Sequence, residues 1–315
     1  MATRIIFDTD IGTDVDDCLA LALILTSPEL TLEAVTCVYG DVTLRARMAL
    51  ELLRLAGRQD VVVAGGASAP LLGRLPVYWA GHEGKGLIPD APQAPSGPGW
   101  TDEHAVDLIV RTVMENPGEI HLVAVGPLTN VALALLREPR LAQRLAHLTV
   151  MGGAVRGPDT LGLALAEHNI KCDPEAAHTV CAGGAPLTLV PLDVTTRVRA
   201  AAGAPERIAA GGTPFHAAVA RQLAVYPPFE RRGWTHLHDP LAVATAVDPG
   251  LVTLRPLRVD VELESRLAAG ATLARSPTDA LPANAAVALD VDGPRFEGWL
   301  LDRLAGPPVG PAAGA

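Results

Sequence analysis

The chain has 315 residues, 35 acidic against 25 basic, a formal net charge of -10, and two lysines, Lys85 and Lys171. That length carries one large α/β domain or two smaller ones around a sizeable core, and an acidic balance without any basic stripe argues against a nucleic-acid polymer as partner. No apolar run reaches the length of a membrane span, and the opening MATRIIFDTD lacks the apolar core of a signal peptide, so a soluble cytoplasmic protein is expected.

The first element is a short buried strand, Ile5 to Phe7, which feeds into Asp8-Thr9-Asp10-Ile11-Gly12-Thr13-Asp14-Val15-Asp16-Asp17, five carboxylates in ten residues. Neighbouring anions raise one another's pKa unless a cation or hydrogen-bond donors neutralise them. The run Cys18 to Leu25 that follows is too apolar for a surface helix, so the acidic residues lie on a strand-to-helix turn. Gly12 is free to take a positive φ there, and Asp14 or Asp16 can cap the helix. Capping accounts for one or two of the five carboxylates, not for all. An oxygen-only cluster favours Ca²⁺ or Mg²⁺ over zinc. Asp10, at the strand end, and Asp17, entering the helix, are the leading ligands.

Further strands are expected at Leu32 to Tyr39, Val61 to Ala64, Ile120 to Val125, Leu148 to Met151 and Leu187 to Leu192. Helices are expected between them at Leu44 to Leu55, His104 to Met114 and Asn130 to Leu136. This alternation predicts an open, mostly parallel sheet with helices on both faces. Ligand sites in such sheets lie outside the carboxyl ends of the strands, where the acidic turn would be. Residues 87 to 100, rich in Pro and Gly, read as a loop forming part of an active-site wall or lid. Glu167 and Asn169 alternate on an extended segment ahead of a helix that begins at Asp173-Pro174-Glu175. An acceptor paired with an amide suits the hydroxyls of a sugar.

His238 and Asp239 precede the apolar helix Leu241 to Val247 and would aim into the same space as the acidic turn. After about residue 250 the pattern becomes β-like, at Leu254 to Glu262 and Ala285 to Val291, and a short helix, Arg295 to Leu304, follows. A single domain over 1–305 with a small C-terminal β-rich addition is expected, and 306–315 reads as a disordered tail. Cys18, Cys37, Cys172 and Cys181 are scattered without metal-ligand spacing and are expected to be reduced thiols.

Taken together, DTDIGTDVDD, AVGPLTN at 124–130, MGG at 151–153, EHNIKCDPEAA at 167–177, VPLDVT at 190–195 and HDPLAVA at 238–244 resemble, in order, the inosine-uridine nucleoside hydrolase family. The resemblance implies a Rossmann-like nucleoside hydrolase fold, a homo-oligomer (dimer or tetramer), and calcium-dependent hydrolysis of the N-glycosidic bond of a nucleoside. On this basis Asp10, Asp17, Asp239 and the backbone carbonyl of Thr129 correspond to the Ca²⁺ ligands, and Asp16, Glu167 and Asn169 to the ribose binders. Asp10 corresponds to the general base and His238 to a group that helps the base depart. His82 resembles a histidine near the base in pyrimidine-preferring members.

The chain also departs from the family pattern. Its first motif is two residues longer than the DxDPGxDD form. Asp41 stands where many members have Asn, which would place another carboxylate near the sugar, and Leu161 falls where an Asn for the ribose 5′-hydroxyl is expected.

Two other classes compete. One is an Asp-x-Asp phosphohydrolase, which needs a cation for phosphate that two lysines hardly supply. The other is a nucleoside-binding relative with little or no hydrolysis. An EF-hand fails, because Leu19 stands where a bidentate Glu is required.

Overall fold

The computed structural model describes residues 2–89, 94–155 and 164–311. Twelve strands are present among them: β1 (Thr3–Thr9), β2 (Leu30–Cys37), β3 (Val62–Gly65), β4 (Trp100–Thr101), β5 (Ile120–Ala124), β6 (His147–Met151), β7 (Leu187–Val190), β8 (Arg199–Ala201), β9 (Trp234–His236), β10 (Val252–Val261), β11 (Thr272–Arg275) and β12 (Ala285–Val291). Ten of them form one sheet, in the order β11-β10-β12-β7-β6-β5-β1-β2-β3-β4. From β4 through to β12 every pairing is parallel, while β10 joins β12 and β11 antiparallel. The expected α/β architecture and its C-terminal β-rich addition are therefore both present. The two remaining strands, β8 and β9, form a separate antiparallel ribbon.

The side-chain alternation of β1 shows how the sheet is buried on both faces. Ile5 and Phe7 point into a core shared with the helices Asp16–Leu25, Val42–Leu55, Pro214–Val225, His238–Val247 and Gly293–Leu304. Ile6 points into a second core with the helices Ala105–Glu115, Thr129–Arg137 and Pro174–Ala182. Strands covered on both faces read as continuous apolar runs, as these do. The helix Asp16–Leu25 is buried all round because it lies between the sheet and the helices His238–Val247, Pro214–Val225 and Gly293–Leu304.

Strand order reverses at β1, whose neighbours are β2 on one side and β5 on the other. Such a switch point leaves a crevice beyond the strand ends, because the following connections run to opposite faces. The acidic turn leaves β1 at that crevice. Gly12 takes φ +117°, with the Met48 sulfur so close that a Cβ there would lie 2.8 Å from it.

Three local readings change. Residues 168–172 are helical rather than extended, because Glu167 caps a short helix and accepts the amides of Asn169 and Ile170. The acidic helix is preceded by Val15, with no side-chain cap. Beyond the last helix, the Gly306 carbonyl meets His216 Nε2 at 2.8 Å and the Val309 amide donates to the Leu25 carbonyl at 2.7 Å, in the stretch read as a tail.

Candidate active site

A cavity of about 630 Å³ opens at the switch point. That is within the range of small-molecule sites. Its floor is built by two helix starts. The helices Asp16–Leu25 and His238–Val247 pack on each other, and the carboxylates of Asp16, Asp17 and Asp239 lie buried within 4.8 Å of one another. Both helix N-termini favour negative charge, and the Asp239 amide donates to Asp16 Oδ2 at 3.2 Å. Thr9 Oγ1 donates to Asp17 Oδ1 at 2.5 Å.

These donors do not balance the cluster. Burial first, and then repulsion from neighbouring carboxylates, pushes Asp16, Asp17 and Asp239 well above the ordinary carboxylate range. Three buried carboxylates that share one space and destabilise one another fit a hard divalent cation, which would take oxygen ligands and cancel the repulsion. Asp10 lines the same cavity from the end of β1, and the buried Arg45 guanidinium lies 3.9 Å from its Oδ2.

Each expected residue has a definite place. Asp10, Asp16, Asp17, His82, Glu167, Asn169, His238 and Asp239 all line the cavity. Glu167 accepts the amides of Gly153, Asn169 and Ile170, which oppose the upward push that burial gives its carboxyl. Asn169 Nδ2 donates to the Val125 carbonyl at 2.7 Å. His238 Nδ1 meets Thr195 Oγ1 at 2.7 Å, and burial, aided by His236, pushes the ring's pKa down to about 3. His82 Nε2 donates to the Thr13 carbonyl at 3.1 Å, which leaves Nδ1 as its acceptor.

Two expected residues are not brought to the cavity. Thr129 begins a helix, and its hydroxyl donates to the buried Asp173 at 2.6 Å. Val125, four residues earlier and directly after β5, lines the cavity instead. Asp41 is exposed and caps the helix Val42–Leu55, accepting the Leu44 amide at 3.0 Å. Leu161 lies outside the described residues.

Asp14, read as a possible cap, faces the cavity and accepts hydrogen bonds from the Val15 amide and the Tyr226 hydroxyl. Among the described residues, Tyr78, Ala80 and His82 and Tyr226 to Pro228 also line the cavity, whereas the Pro-rich loop after residue 87 does not. Neither lysine lines this cavity, so the lysine expected of a phosphohydrolase is not among its lining residues; a cation that lines it is Arg231.

The comparisons with known proteins agree with this geometry. The family model described as inosine-uridine preferring nucleoside hydrolase matches residues 5–298. The chain belongs to that family. The hydrolase is 37% identical over 320 residues to the pyrimidine-specific ribonucleoside hydrolase RihA of Citrobacter koseri, covering 97% of this chain and 99% of the relative. It superposes on the purine-preferring ribonucleoside hydrolase of Gardnerella vaginalis with a TM-score of 0.83 at 32% identity, covering 96% of this chain and 98% of that one. A plant nucleoside hydrolase, the PpNRh1 enzyme, gives a TM-score of 0.84 at 31% identity, covering 98% of this chain and all of the other. The hydrolase is thus an enzyme acting on N-glycosyl bonds, and no helix among its described residues is long and apolar enough to cross a membrane.

Proposed function

We propose that this hydrolase cleaves the N-glycosidic bond of ribonucleosides, releasing ribose and the free base, with calcium held by Asp10, Asp17 and Asp239. The observation that carries the reading is the convergence of buried Asp16, Asp17 and Asp239 within 4.8 Å on the floor of a cavity of nucleoside size. Bound calcium would cancel the carboxylate repulsion and orient the sugar hydroxyls, with the Val125 carbonyl, rather than that of Thr129, at hand as a backbone ligand.

The chain's own groups account for the rest. Asp16, Glu167 and Asn169 bind the ribose hydroxyls. Asp10 accepts the proton of the attacking water. As the C1′–N bond breaks, positive charge develops on the sugar ring, and a cavity lined by carboxylates favours that charge over the neutral substrate.

A ring whose pKa is pushed down to about 3 is neutral at pH 7, so His238 is not a ready source of an acidic proton. In the tautomer whose Nδ1 accepts from Thr195, Nε2 carries the hydrogen and can donate it to the departing base. Relatives of this chain include one named pyrimidine-specific and one named purine-preferring, so purine and pyrimidine nucleosides both belong in the assay. Release of reducing sugar from a panel of nucleosides, abolished by a chelator and restored by calcium, is the expected result. Nucleoside binding in a calorimeter without sugar release would instead identify a binding protein.

A further inference from the structure

Arg45 is the largest fully buried side chain in the molecule's described part, and no step of the proposed reaction uses it. Burying a guanidinium is costly unless its N–H groups are bonded and its charge is matched. Here each of its three nitrogens has an oxygen acceptor. Nε donates to the Tyr39 carbonyl at 2.6 Å, Nη1 to the Ile11 carbonyl at 2.9 Å and Nη2 to the Thr13 hydroxyl at 3.0 Å. Nη2 also lies 3.9 Å from Asp10 Oδ2, and the Trp79 ring covers the guanidinium with its centroid 5.1 Å from Cζ.

The partners come from three separate segments of the chain. Ile11 and Thr13 belong to the acidic turn. Tyr39 follows β2 and, among the described residues, is the one non-glycine with positive φ, at 66°. Trp79 belongs to the segment that carries His82. Thr13 is gripped twice, its hydroxyl by Arg45 and its carbonyl by His82. The turn itself has a glycine at φ +117° and is two residues longer than the DxDPGxDD form, so its backbone needs an external brace.

We infer that Arg45 is a positioning residue that braces the acidic turn from beneath and thereby fixes where the Asp10 carboxylate sits. The inference rests on the reading of Asp10 as base and calcium ligand. Lysine cannot reproduce the role, because one ammonium cannot reach three oxygens lying in the divergent directions of a planar fork. A small displacement of a reacting group can cost on the order of 10²-fold in rate.

The test compares Arg45→Lys and Arg45→Met with the wild type, each checked for folding by circular dichroism. Steady-state kinetics and calorimetric titration of the metal-free protein with calcium are the readouts. In Arg45→Met, kcat should fall on the order of 10²-fold while KM, set by Asp16, Glu167 and Asn169, stays within about threefold. Arg45→Lys should also lose kcat, and both variants should bind calcium more weakly. Wild-type kcat in the folded protein of either variant would overturn the inference.

Tighter calcium binding in Arg45→Met with no change in Arg45→Lys would also overturn it, since that pattern belongs to a bare counter-charge. Should Arg45→Met not fold, Thr13→Val removes a single partner and should lower kcat by a smaller factor without changing KM. If the wild type releases no sugar from any nucleoside, the functional reading fails, but the calcium titrations still decide whether Arg45 braces the turn.

Discussion

Two clusters of titratable side chains lie at opposite ends of the parallel strands, and they are built on opposite principles. Towards the amino ends of β5 and β6, His121 and His147 face each other with ring centroids 4.9 Å apart. His121 Nε2 meets Thr149 Oγ1 at 2.9 Å and His147 Nε2 meets Thr188 Oγ1 at 2.8 Å. Burial lowers the pKa of both rings, so they are neutral and supplied with partners. At the carboxyl ends, Asp16, Asp17 and Asp239 are pushed the other way and repel one another. A polar cluster that satisfies itself stabilises the fold, whereas one that does not is held in place for a ligand.

The sharpest way to break that contrast is to remove a carboxylate at the acidic end of the cavity. Asp10→Asn should lower kcat on the order of 10³- to 10⁴-fold while the protein stays folded, as measured by sugar release and circular dichroism. Turnover close to wild type would refute the role of Asp10 as base. Asp17→Asn separates the two aspects of the cluster. It should weaken calcium binding and, by removing one of several repelling charges, raise the melting temperature of the metal-free protein. A lower melting temperature without metal would mean that the carboxylates stabilise the fold after all.

Chelation tests the same idea without mutation. A ligand at 100 times its Kd stabilises the folded state by about 2.7 kcal/mol. Removing calcium should therefore lower the melting temperature by a few degrees and abolish turnover, and restoring it should reverse both. His238→Ala should act by leaving group: on the order of 10²-fold for natural nucleosides, and much less for a nitrophenyl riboside whose leaving group needs no help. Equal loss for both substrates would assign His238 to the sugar side.

The contrast between the clusters was only half legible in the sequence. Five aspartates in ten residues announce themselves, and the strand-to-helix turn that holds them follows from the apolar runs on either side. The apolar run at Ala285 to Val291 coincides with β12. Arg45 escaped notice because an arginine in a helix reads as a solvated residue. Yet it shares a face with Ala49 and Leu52, four and seven residues on, and that stripe is buried. Between residues 199 and 236 the helices Ala204–Ala209 and Pro214–Val225 are rich in alanine and Pro227–Arg232 is six residues long, so none has a clear apolar period, although Thr213-Pro214 is a usable start signal. Val125 lines the cavity although an apolar residue at a strand end reads as core.

The histidine pair gives a smaller effect with a definite sign. His121 falls from 6.5 to about 3 on folding, so the unfolded chain binds the proton more readily. Its contribution is complete above pH 6.5 and is lost as pH falls from there towards 3. At pH 4.5 the loss is roughly 2–3 kcal/mol. His121→Gln keeps a partner for Thr149 but cannot take up a proton, so its stability should fall less steeply between pH 6.5 and 4 in chemical denaturation. An unchanged slope would place the acid sensitivity elsewhere.

Asp41 gives the smallest effect and the closest comparison, since the family resemblance and the coordinates assign it different work. An Asn at this position would be expected beside the sugar, but the Asp41 carboxylate accepts the Leu44 amide and is exposed. Loss of such a cap typically costs about 1 kcal/mol. Asp41→Ala should therefore lower the melting temperature by a degree or two, with kcat and KM within about twofold of wild type. Asp41→Asn, which caps equally well, should restore the stability. A tenfold rise in KM in Asp41→Ala, with stability unchanged, would return Asp41 to the sugar and show that the turn at Tyr39 and Gly40 swings inward when substrate binds.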